Sequence, residues 1–88
     1  IELLQQAGED LGLTRETAQL LARQTALGAA SMAQNEDVVQ LRGQVTSKGG
    51  TTEQAILSFQ QNGFTSLVQK ATQAARDRSV ELAQQFEN

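Results

Sequence analysis

One apolar stripe constrains this chain more than any other feature. Phe64, Leu67, Val68, Ala71, Ala75, Leu82 and Phe86 recur at helical spacing. The spacing predicts a single helix over 64–86, and at 1.5 Å per residue it spans roughly 35 Å. That is about the width of a small domain, so a stripe reaching both ends must find cover along the whole length. Such cover favours packing across a second copy of the chain.

The same spacing recurs upstream. Ile1, Leu4, Ala7 and Leu11 mark a helix over 1–11, and Gly12 stops it. Thr14 then reads as an N-cap, with Glu16 in the first turn of a helix over 15–34. That helix carries a strip of small residues, Ala22, Ala26, Ala29, Ala30 and Ala33, with Gly28 beside it. Leu20, Leu21, Leu27 and Met32 add bulk. The strip fits either an ordinary core helix or a subunit-interface helix. A short helix over 36–42 should follow, acidic at its start, basic at Arg42 and closed by Gly43. Ala55, Ile56 and Phe59 place a fourth helix over 51–61, and Asn62-Gly63 breaks it. No segment has strand periodicity, and the turns are short, so consecutive helices should pack as neighbours. The predicted class is all-α, a bundle of about five helices in one domain over 1–88. Phe59, Phe64 and Phe86 are expected in its core.

Composition narrows the chemistry. The chain lacks cysteine and histidine, which removes thiolate sites, disulfides and the usual neutral-pH acid/base group. Its net charge is −3, without the basic patch of a nucleic-acid binder. No apolar run reaches the roughly 20 residues that cross a bilayer, and no secretory signal pattern is present. The adjacent pairs Glu9-Asp10 and Glu36-Asp37 diverge by about 100° on a helix, so no metal site is expected. Asp77 and Glu81 should pair on the surface with Lys70, Arg76 or Arg78. The chain starts at Ile1 and is expected to be a piece of a longer protein. Its apolar content leans on alanine, so a partner chain should complete the core.

Residues 47–53, Ser-Lys-Gly-Gly-Thr-Thr-Glu, carry the chemistry. The first four N–H groups of a helix lack intrahelical partners and, with the macrodipole, attract an anion. Gly49 and Gly50 have no Cβ, so the chain can turn sharply and a ligand can approach. Ser47, Thr51 and Thr52 add hydroxyls. The stretch is therefore a competent carboxylate or phosphate pocket. On the residues alone it reads more readily as a Gly-Gly turn before a Thr-capped helix, with Glu53 favouring the dipole. Lys48 could add a point charge or be solvated. Neither the Walker A spacing nor Gly-x-Gly-x-x-Gly after a strand is present.

The run from Leu41 to Ile56, LRGQVTSKGGTTEQAI, resembles the signature of pyrroline-5-carboxylate reductases. That family reads Leu-Arg-x-x-Val-x-Ser-Pro-Gly-Gly-x-Thr-x-x-[Ala/Gly]-[Leu/Ile]. The likeness extends upstream through LARQTALGAASM and downstream through NGFTSLVQKATQAARDRSVEL. Lys48 stands where the family commonly has proline, and Gly43 replaces a residue that is often acidic.

The resemblance implies a cytoplasmic enzyme that reduces 1-pyrroline-5-carboxylate to L-proline with NAD(P)H, in proline biosynthesis. It implies an N-terminal Rossmann domain, absent from this chain, that holds the cofactor, so this segment alone should be inactive. It implies a helical domain, similar to the 6-phosphogluconate dehydrogenase C-terminal domain, interleaved with its twin in a homodimer that can build larger rings. Carried onto matching positions, Ser47, Gly49, Gly50 and Thr51 would hold the substrate carboxylate. Thr52 would bond the ring nitrogen as the catalytic contact. The alternative is a stand-alone helical dimerisation module whose Gly-Gly loop is only a turn.

Overall fold

The computed structural model describes residues 1–87. Five helices account for most of them: α1 (Glu2–Asp10), α2 (Arg15–Ala33), α3 (Val38–Val45), α4 (Thr51–Gln61) and α5 (Phe64–Glu87). No strand occurs among the described residues, so the all-α expectation holds. The chain divides into two compact units, Ile1–Val45 and the segment from Thr46 onward.

In the first unit, α1 and α2 meet through small residues. A Cβ added at Gly8 would lie 3.3 Å from the Ala18 Cβ and 3.4 Å from the Leu13 side chain. Ala18 and Ala22, each 3% exposed, are the buried residues of the described chain. The junction is built as the sequence requires. Gly12 takes φ +106, a left-handed value that suits glycine. Thr14 then caps α2, accepting the Thr17 N–H at 3.2 Å.

The third helix departs from its expected bounds. It starts at Val38 rather than at residue 36, because Asp37 serves as a cap: its Oδ2 accepts the Gln40 N–H at 3.2 Å. It also runs through Gly43 to Val45. Gly43 adopts no positive φ and meets nothing within 4 Å, so the helix loses only glycine's propensity deficit of about 1 kcal/mol. Ala29, Ala30, Met32, Ala33, Leu41 and Val45 line an open apolar groove of about 430 Å³ between α2 and α3.

In the second unit, Gly63 (φ +77) reverses the chain between α4 and α5. Asn62 does not share the positive φ; its Nδ2 donates to the Ser58 carbonyl at 2.8 Å and closes α4. The Phe59 and Phe64 rings face each other across this turn, 4.7 Å apart. They are nevertheless 54% and 49% exposed, and Phe86 is 88% exposed. The expected aromatic core is therefore not formed within one chain. Two facing rings cannot enclose each other, and α5 contains no buried residue at all. Surface pairing on α5 is as expected, with Arg78–Glu81 at 3.0 Å and Arg76–Asp77 at 3.6 Å. Both pairs are exposed, so each contributes only tenths of a kcal/mol.

Candidate functional site

Residues 46–50 form the link into α4. The Gly50 N–H donates to the Ser47 carbonyl at 3.0 Å, closing a four-residue turn over Ser47, Lys48, Gly49 and Gly50. Gly49, in the third place, has φ +77. A left-handed third residue with this bond is the signature of a type II turn, which requires glycine there and favours proline in the second place. Lys48 occupies that second place, exposed, with no ion pair among the described residues.

Gly50 matters for a different reason. It is the N-cap of α4, with extended backbone at φ −84 and ψ 177. A Cβ there would lie 2.5 Å from the Ser47 Oγ and 3.1 Å from the Ser47 carbonyl oxygen. The missing side chain is what lets the Ser47 hydroxyl sit over the head of the helix. That hydroxyl bonds to no other described residue.

Internal bonds take up the two glycine donors of the link. The Gly49 N–H donates to Glu53 Oε1 at 3.1 Å, and the Gly50 N–H is used in the turn. The first intrahelical bond runs from the Gln54 N–H to the Gly50 carbonyl at 3.3 Å. This leaves the amides of Thr51, Thr52 and Glu53 without an acceptor among the described residues, as helix geometry demands. The hydroxyls of Thr51 and Thr52 likewise bond to no described residue. Thr52 is half-buried and Thr51 exposed, so the head of α4 is open to a ligand. The five predicted residues do share one turn and one helix terminus. Sequence reasoning missed Glu53's part. Its signal was a carboxylate three residues after the N-cap, the spacing at which a side chain reaches back to cap.

Three unpaired amides, a free serine hydroxyl and a threonine hydroxyl at one helix terminus can hold a carboxylate and one further polar atom. Among the described residues no group of acidic side chains is placed to bind a metal. No helix of the described chain is long and apolar enough to cross a membrane.

Comparison with known proteins bears on which anion. The family model for pyrroline-5-carboxylate reductase dimerisation matches residues 1–82. The chain belongs to that family. A pyrroline-5-carboxylate reductase of Pseudomonas aeruginosa is 56% identical over 88 residues, covering 98% of this chain and 32% of that protein. One of Vibrio alginolyticus is 40% identical, covering 98% of this chain and 33% of that protein. A crystal structure of Plasmodium falciparum pyrroline carboxylate reductase with NADP bound superimposes with a TM-score of 0.84 at 36% identity. It covers 89% of this chain and 32% of that one. The chain thus spans about a third of the length of the reductases it matches. The sequence has no Gly-x-Gly-x-x-Gly run, and no strand occurs among the described residues.

Proposed function

We propose that this chain is the helical dimerisation and substrate-holding domain of an NAD(P)H-dependent reductase that converts 1-pyrroline-5-carboxylate to L-proline. The observation that carries the reading is the head of α4, where three acceptor-free amides follow a turn that presents the Ser47 hydroxyl. The substrate is a ring imine bearing one carboxylate. Ser47 Oγ and the Thr51 and Thr52 amides hold that carboxylate, while Gly49 and Gly50 shape the rim. Thr52 Oγ1 is then left to bond the ring nitrogen. Binding at two points fixes which ring carbon and which face the reductant meets, a gain in orientation rather than covalent chemistry. The reductant, NAD(P)H, belongs to an N-terminal Rossmann domain outside this chain.

The chain's exposed apolar surface supports homodimerisation. Leu67, Val68, Val80 and Phe86 all stand open on α5, and the α2–α3 groove is equally uncovered. Fully burying each large side chain is worth about 1.5–3 kcal/mol. A second copy interleaved with the first supplies that cover, and dimers can associate further into rings. A net charge of −3 fits a cytoplasmic enzyme better than a nucleic-acid binder.

Thr52→Ala in the complete enzyme tests the site. Loss of one hydrogen bond to the reacting ring should lower kcat/KM about tenfold or more, since such a bond is worth on the order of 1–3 kcal/mol. Unchanged kinetics would remove Thr52 from the site.

A further inference from the structure

Resting on that functional reading, we propose that Glu53 is a positioning residue for the reaction, acting as the acceptor that fixes the Ser47–Gly50 turn and not through its charge. Its Oε1 takes the Gly49 N–H at 3.1 Å from four residues further on. Gly49 has no side chain to restrict it and sits at φ +77. Glu53 is half-buried, so its carboxylate is partly shielded while it makes this bond.

Two consequences follow. The clamp consumes the Gly49 donor, which directs an incoming carboxylate onto the amides of Thr51, Thr52 and Glu53. It also holds the backbone that carries Ser47, whose hydroxyl lies within 2.5 Å of where a Gly50 Cβ would be. A residue rotating freely at position 49 would carry the Ser47 hydroxyl off the helix head. The charge itself works the other way. A full negative charge at the α4 terminus offsets the attraction of that terminus for a second anion. An uncharged side chain with the same acceptor therefore preserves the function, and a side chain with no acceptor destroys it.

The experiment compares Glu53→Ala and Glu53→Gln in the complete enzyme, by steady-state kinetics with 1-pyrroline-5-carboxylate and the nicotinamide cofactor varied separately. Glu53→Ala should raise KM for the imine at least tenfold and leave KM for the cofactor within twofold. Glu53→Gln should restore the imine KM to within threefold of the parent. Glu53→Ala kinetics within twofold of the parent overturn the assignment. So does a Glu53→Gln enzyme with a tenfold raised imine KM, and that arm decides the matter alone if the alanine variant does not fold. A parent enzyme that does not reduce the imine overturns the functional reading and this assignment together. A parent that does, matched by its alanine variant, overturns this assignment only.

Discussion

Lys48→Pro should stabilise the protein, and each contribution can be traced to the turn. Lys48 occupies the second place of a turn whose third residue, Gly49, has φ +77 and whose closing bond is Gly50 N–H to the Ser47 carbonyl. In a type II turn the second residue sits near φ −60°, which is where the pyrrolidine ring fixes it. Proline would delete the Lys48 N–H, and that group donates to no described residue, so no bond is lost. Ser47, which precedes it, lies outside any helix, and residues before proline avoid the helical region. The lysine makes no ion pair among the described residues, so none is broken. What remains is the reduced freedom of the unfolded chain, worth about 0.4–1 kcal/mol. For a domain of this size that corresponds to a rise in melting temperature of about 2–8 °C. The assay is denaturant unfolding of the parent and Lys48→Pro proteins at one protein concentration. A fall in stability would refute the reasoning, since it would mean that the Lys48 amide or its backbone angle is committed to something other than this turn.

Thr14→Ala should cost about 1 kcal/mol, because its Oγ1 caps the Thr17 amide at the start of α2, and denaturant unfolding would read the loss. An unchanged midpoint would show that water replaces the cap without loss. If a second copy supplies the missing core, folding is linked to association, and each tenfold dilution should remove about 1.4 kcal/mol of apparent stability. A melting temperature that stays constant from millimolar to micromolar protein would count against the interleaved dimer.

Most of the helix plan was legible because glycine and capping residues mark its breaks. Gly12, Thr14 and Gly63 act as read, and α2, α4 and α5 fall within a residue of their expected ends. The third helix starts later than its pattern predicts because Asp37 stands outside it as a cap. A short acid before an apolar run competes between helix interior and cap, and here the cap wins through the Gln40 amide. Gly43 reads as a stop, yet a helical glycine in open space loses propensity without ending anything. The expected Phe59, Phe64 and Phe86 core failed for a deeper reason. Periodicity reports which face of a helix avoids water but not which chain covers it.

The site shows the same division between what pattern carries and what it leaves out. The residue types at 47–52 indicated an anion-binding helix head, and the turn and the open amides agree with that chemistry. What the pattern could not assign was which amides stay free, because that depends on internal bonds competing for them. Glu53 and the Ser47 carbonyl take the two glycine donors, so the open amides are those of Thr51, Thr52 and Glu53. The glycines then serve by geometry: Gly49 supplies the left-handed angle, and Gly50 supplies the space over which the Ser47 hydroxyl lies. A carboxylate bound in the proposed way would meet the amides of the first turn of α4 together with the Ser47 hydroxyl of the preceding turn. Because Lys48 lies inside the Ser47–Gly50 turn and Glu53 bonds to it from α4, a stiffening change at Lys48 and a releasing change at Glu53 should have opposite effects on the same turn.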